Sequence, residues 1–357
     1  MKRSLVWLAL TSVLSLTMTA ARADDDEAEG FNQPGNILIT DQFNNRVIEI
    51  NPAGKIVWHF GIGPNDLSPN SIIGTNDAER VGDLTLMSGT GIPPGTAQSP
   101  LACAAAGTAG CADNRVILVD RDGEIVWQYG TFGVTGSGPN QLNTPVQNTF
   151  LPNGNVLITD QANERVIEVR RSDNTIVWQF GETGVVGSDN SHLSNPNAAE
   201  LLHNGHILIS DENNNRAIEV THTTPSEVRK TFTAGGTVSG VAFASRLPNG
   251  HTLLTDSNNS RIVEVDRHDN PVWQYFTNDP AGNAAPLPTR AVRLANGHTL
   301  ISDQFNDRVI EVTREGKIVA SYGTLNVFGF NAHDASVMNA PYSAYKIGDY
   351  TGITAPF

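Results

Sequence analysis

Cysteine is nearly absent from this chain of 357 residues; there are two, Cys103 and Cys111. So few exclude a disulfide framework as the main source of stability, and no second pair of soft ligands stands beside them to hold zinc. Basic residues are also scarce, 23 against 37 acidic ones, for a net charge of −14. Such a surface repels nucleic acid and anionic lipid, so neither is expected as a partner. Long apolar runs are confined to the amino terminus, and nothing later approaches the roughly 20 residues of a spanning helix. There is no Gly-x-Ser-x-Gly elbow and no glycine loop suited to phosphate.

The amino terminus reads as a secretory signal over residues 1–23. Lys2 and Arg3 precede an apolar stretch from Leu5 to Leu16, and Ala21-Arg22-Ala23 offers small residues at the cleavage positions. Cleavage there leaves 20 basic and 37 acidic residues, a net charge of −17. The expected product is exported, to the periplasm or beyond the cell, with no membrane insertion. In an oxidising compartment Cys103 and Cys111 are expected to pair. Residues 24–35 form an acidic leader to the folded region.

What the chain has in abundance is repetition. Asn153–Gly181 reads NGNVLITDQANERVIEVRRSDNTIVWQFG, and close copies begin at Gly35, Asn204, Asn249 and Asn296, with a shorter one at Asn114. Each copy carries alternating strand signals (ILIT, RVIEV, IVW) separated by turn residues, and a further short strand precedes each Asn-Gly turn. The arginine of the RV step recurs at Arg46, Arg115, Arg165, Arg216, Arg261 and Arg308, so there are six units. Four antiparallel strands repeated radially make an all-β, six-bladed β-propeller. We expect a single domain over residues 36–357, with an insertion at 89–114 in the second blade. The tail Asn339–Ile347 matches the register of Asn143–Leu151, so the carboxy-terminal strand should close the first blade and leave no open edge.

The connectors Gly130–Pro145 and Gly181–Pro196 are glycine-rich and end in Leu-x-x-Pro. With the inner strand, the Asp-ended strand and the Asn-x-Arg-Val step that follow, they resemble the NHL repeat over nearly the whole mature chain. That resemblance implies a six-bladed propeller. The IVW strands are similar, more distantly, to bacterial arylsulfotransferase and quinoprotein propellers. Arylsulfotransferases depend on His-x-Asn at the start of an inner strand, and no inner strand here starts with His. Trp58, Trp127, Trp178 and Trp273 lie in outer strands, where an aromatic packs between blades rather than docking a quinone. Amidating-lyase relatives would need histidines converging on the channel, which are absent. No cofactor is expected.

Two repeated columns invite a chemical reading. Asp41, Asp160, Asp211, Asp256 and Asp303 stand five residues before the arginines, with Gly110 in the corresponding place of the second blade. Repetition in every blade fits loop capping better than catalysis, which needs one or two special groups. His206, His251 and His298 share one position in successive blades, too far apart for a common ion, so no metal site is expected. Asymmetry appears where inner strands begin. There the aligned residues are Asp77, Gln147, Ala198, Phe243, Arg290 and Ser343, preceded by Asn76, Val146, Asn197, Ala242, Thr289 and Tyr342. One ligand touches each blade differently, so the candidate binding residues are Asp77, Gln147, Asn197, Arg290 and Tyr342, with His333 from the last connector. The expected function is a binding or scaffold module holding a protein, peptide or glycan on its connector-loop face, as a monomer. The alternative is a lyase or hydrolase at the channel mouth, using Arg290, Asp77 and His333.

Overall fold

The computed structural model describes residues 30–93, 95, 98–101, 103 and 110–355. The expected signal, residues 1–23, and the acidic leader as far as residue 29 lie outside them.

Six sheets of four antiparallel strands are arranged as blades, with 24 strands numbered in chain order. The first blade contains β1 (Ile37–Asp41), β2 (Arg46–Ile50) and β3 (Ile56–Phe60). Its inner strand is the last of the chain, β24 (Pro341–Lys346), paired with β1 at Ile37↔Lys346, Leu38↔Tyr345 and Ile39↔Ala344. The expected closure is therefore present. The other inner strands are β4 (Thr75–Val81), β8 (Pro145–Phe150), β12 (Pro196–Leu201), β16 (Val241–Arg246) and β20 (Arg290–Arg293).

Both faces of a blade are covered by neighbours, which explains the apolar runs of the middle strands. Ile37, Ile39, Ile48 and Ile50 pack against Leu300 and Val309 of the sixth blade. Leu38 and Val47, on the other face, pack against Met87 and Ile117 of the second. The outer tryptophans tie blades together as expected. Trp58 Nε1 donates to Arg121 O at 2.9 Å, Trp178 Nε1 to Thr223 O at 3.1 Å and Trp273 Nε1 to Arg314 O at 2.7 Å, each on the next blade.

The Asp-x-x-Asn-x-Arg step has a mechanical reason. After β1 the chain makes one 3-10 turn, Gln42–Asn44, and leaves it through Asn45 at φ 52°. Asp41 Oδ2 then accepts from Asn44 Nδ2 at 2.8 Å and Arg46 Nε at 2.8 Å, locking the turn from inside. The same pairs recur from Asp160, Asp211, Asp256 and Asp303. The second blade corrects the alignment that put Gly110 in this column. There Asp113 pairs with Arg115 at 2.6 Å, from two residues away, because the long insertion leads into this position.

That insertion is stapled by the Cys103–Cys111 disulfide, with Cα atoms 5.3 Å apart. It lies on the connector face. Ile92, Cys103 and Cys111 pack with Phe43, Ile73 and Ala340, and Gln98 Nε2 reaches Asp307 Oδ2 of the sixth blade at 3.2 Å.

Candidate functional site

Side chains alternate along a strand, so every second residue of each inner strand faces the channel. An upper ring is formed by Asp77, Gln147, Ala198, Phe243, Arg290 and Ser343. Two residues on, a lower ring brings Glu79, Thr149, Glu200, Val292 and Tyr345. Arg290 is the hub. Its Nη1 lies 2.7 Å from Asp77 Oδ1 and its Nη2 3.6 Å from Glu200 Oε1, while the guanidinium stacks 4.3 Å over Phe243. Ser343 Oγ donates to Asp77 Oδ1 at 2.8 Å, and Gln147 Nε2 to Glu200 Oε1 at 2.8 Å. Glu79 Oε2 accepts from the Phe150 amide at 2.8 Å.

Three buried carboxylates share one cation here. Burial pushes the Asp77 carboxyl up, against the pull of Arg290. Glu79 is raised well above the usual range, by burial first and then by the charges of Glu200 and Asp77. Glu200 is raised by burial as well. Nearer the connector face, Asn197 Nδ2 donates to Tyr342 Oη at 3.0 Å and to Glu212 Oε2 at 2.8 Å. Gln42 Nε2 reaches Asn76 Oδ1 at 2.7 Å, and Gln304 Nε2 reaches Gln42 Oε1 at 2.8 Å. Burial, chiefly, raises the Tyr342 phenol.

The structure thus brings Asp77, Gln147 and Arg290 together, and places Asn197 and Tyr342 as a pair above them. His333 stays apart. It is exposed in the last connector, where its carbonyl accepts from the Ile56 amide of β3 at 3.2 Å. Sequence reasoning missed Glu79 and Glu200, though counting two residues beyond Asp77 and Ala198 finds both. It also missed Gln42, Glu212 and Gln304, which follow the Asp column directly.

Two cavities of ≈ 10 Å³ flank Arg290, one under the mouth and one below. Each has room for about one water, far short of the roughly 300 Å³ of a small-molecule site. Arg290 bonds Asp77 and Glu200, Glu79 is held by the Phe150 amide, and the channel as it stands is a closed polar plug.

The repeated histidines are engaged singly, each with an acid. His206, His251 and His298 each bond a glutamate of their own blade, Glu219, Glu264 and Glu311, at 2.8, 2.8 and 2.6 Å. Among the described residues no group of three His, Cys, Asp or Glu is placed to hold an ion. His192 meets Asp189 at 2.8 Å and Glu182 at 3.3 Å on an exposed connector. Ser191 Oγ approaches the same Nδ1 that Asp189 occupies, so the trio lacks the two-sided geometry of a relay.

No protein-family profile matches the chain, and no curated protein matches it by sequence. Solved structures do. A protein of unknown function from Bacteroides caccae is 15% identical, with TM-score 0.56, covering 87% of this chain and 98% of that one. Virginiamycin B lyase from Staphylococcus aureus is 15% identical, with TM-score 0.52, covering 83% and 82%. A streptogramin B lyase is 12% identical, with TM-score 0.52, covering 84% and 81%. At these identities the likeness is one of fold.

Proposed function

We propose that this chain is an exported β-propeller of the NHL type that works as a binding or scaffold module, holding a protein, peptide or glycan on its connector face. The observation that carries this reading is the filled channel: Arg290 is spent on Asp77 and Glu200, and Glu79 is held by a backbone amide, around cavities of ≈ 10 Å³. The connectors, by contrast, differ from blade to blade and hold apolar side chains out to solvent, Ile62 at 75%, Val186 at 65% and Phe328 at 54% exposure. A rigid ring lets such loops diversify without loss of stability. Export rests on the amino-terminal pattern and on the disulfide. Among the described residues no helix is long and apolar enough to cross a membrane.

The test compares partners captured from the exported fraction by the wild type and by a Val186→Asp/Phe328→Asp variant, alongside a glycan array. Loss of a specific partner in the variant supports the reading. Equal capture by both proteins, with no glycan bound, sinks it.

A second reading, a lyase or hydrolase at the channel mouth, draws on the convergence of Arg290, Asp77 and Glu200 with raised carboxyls. Two structures of like fold are lyases. It requires turnover that disappears in Arg290→Lys while the fold survives.

A further inference from the structure

After β24 the chain does not stop at the ring. Asp349 Oδ2 accepts from the Ala295 amide of the sixth blade at 2.8 Å. The tail then crosses the underside of the channel, the face away from the connectors, and reaches the fourth blade. There the Thr354 amide and Oγ1 donate to Glu200 Oε2 at 2.9 and 2.8 Å. Between these anchors Tyr350 packs near Tyr345, ring centroids 6.2 Å apart, and Ile353 lies against Ala198, Phe243 and Val292. Residues 349–354 form a strap.

The strap is also a partition. Glu200, Ile353 and Thr354 line the small lower cavity of the channel and, on their other side, a groove of ≈ 530 Å³ on the underside. That groove has the volume of a small-molecule site. Its walls include Leu201, Leu202, Leu247 and Pro248, and also His203 and Arg246, whose guanidinium is neutralised by Glu219 at 2.9 Å. On the channel side wait Asp77, Glu79 and Glu200, two aromatic rings, Tyr345 and Tyr350, and Asn148. Asn148 is 2% exposed, and neither its Nδ2 nor its Oδ1 has a hydrogen-bond partner. A buried amide with both ends unpaired costs free energy unless something visits it.

We propose that the underside of the ring is a second binding site, for a small organic cation with an ammonium or guanidinium head and an apolar body, gated by the strap of residues 349–354. The head would enter between Glu79, Glu200 and Asn148, where carboxylates outnumber the one guanidinium and aromatic rings add cation–π attraction. The apolar body would lie in the leucine-walled groove. Tail and ligand compete for Glu200, so the strap sets the affinity. This site lies on the opposite face from the proposed partner surface, and neither depends on the other.

The probe is n-hexylamine, protonated at neutral pH, titrated calorimetrically into full-length protein, with hexanoate and 1-hexanol as comparators. A full-length Ile353→Ser/Thr354→Ala variant loosens the strap while leaving β24 in place. The variant should bind hexylammonium about tenfold more tightly than the wild type does. Adding Glu79→Gln or Asn148→Ala to it should weaken binding about tenfold, and hexanoate should not bind. Thermal melts confirm that each variant is folded, and Thr354→Ala alone serves if the double change unfolds the protein. Absence of binding to the loosened protein would overturn the proposal. So would equal binding of hexanol or hexanoate, or binding indifferent to both Glu79 and Asn148.

Discussion

Pro286 stands where the other five blade junctions place a backbone amide, and it leaves Asp303 Oδ1 buried without a backbone donor. Elsewhere the amides of Ile73, Asn143, Ser194, Ser239 and Asn339 donate to Asp113, Asp160, Asp211, Asp256 and Asp41 at 2.7–2.8 Å. Proline has no N–H to give. The same junction departs a second time. Asn45, Asn114, Glu164, Asn215 and Asp307 reach the amide of the next connector from the residue that leaves each turn, and the fifth blade has the shorter Ser260 there. The seam between the fifth and sixth blades is therefore the least laced.

Pro286→Ser should restore the missing donor. A hydrogen bond to a buried carboxylate contributes about 1.5–3 kcal/mol, and losing the proline constraint costs about 0.4–1 kcal/mol. The expected net is a stabilisation of about 1 kcal/mol in urea unfolding. A variant less stable than the wild type would show that Asp303 is satisfied some other way.

A ring of ion pairs on the underside departs from its pattern at two of six junctions, and at one of them matched apolar residues stand instead. Glu49, Glu219, Glu264 and Glu311 pair with Arg80, Arg246, Arg293 and Lys346 on the next inner strand, at 2.5, 2.9, 2.9 and 2.8 Å. Between the second and third blades Leu118 faces Phe150 instead, inside one apolar cluster. Between the third and fourth, Leu201 replaces the cation and His222 turns in to Glu168 at 2.6 Å. Leu118→Glu alone should cost about 3–5 kcal/mol, as an unpaired buried charge. Adding Phe150→Arg should recover more than about 1 kcal/mol of that in a double-mutant cycle. Additive costs would mean that the two positions do not meet.

The blade count, the closing strand and the upper channel ring were legible because each follows from repeat register. Position within the repeat says which residues face the channel, and period two carries the count onward to Glu79 and Glu200. Two things were not legible. Asp113 fills its role from two residues before Arg115, because an insertion changes the local path and register cannot cross it. His333 looked available beside Asn331 and Asp334, but nothing in a connector's sequence tells whether it leans over the channel or out along β3. The strap was hidden as well. Asp349 and Thr354 belong to no repeat, so their partners Ala295 and Glu200 emerge only in space.

Ring closure and strap should separate in two truncations. Removing residues 338–357 takes away β24, strips the inner strand from the first blade and uncovers Ile37 and Ile39. Cooperative unfolding should be lost. Removing only 348–357 leaves β24 paired to β1 and deletes the strap, and should cost about 1–3 kcal/mol while the sheet signal in circular dichroism persists. A stable, cooperative protein after the longer deletion would sink the closure.

Asp307 should make the protein less stable as pH rises through the mildly acidic range. Its carboxyl is buried, accepts from the Ala340 amide at 3.1 Å and Gln98 Nε2 at 3.2 Å, and has no cation beside it among the described residues. Burial first, and then the nearby charges of Asp41 and Asp303, push it from 3.8 to about 6. Between those values the unfolded chain releases a proton that the folded one keeps, so folding loses ground as pH rises, and the penalty is complete above about 6. Asp307→Asn removes the charge, keeps the bond from the Ala340 amide at Oδ1, and keeps the other once the Gln98 amide turns over so that its Oε1 accepts from the new Nδ2. Its stability should equal that of the wild type near pH 4, pull ahead between 4 and 6, and level off about 1 kcal/mol higher, after allowing for solvent screening. The same melts on a Gln98→Ala background test the coupling to the insertion. Without that amide the aspartate should hold its proton to higher pH, and the window should widen upward.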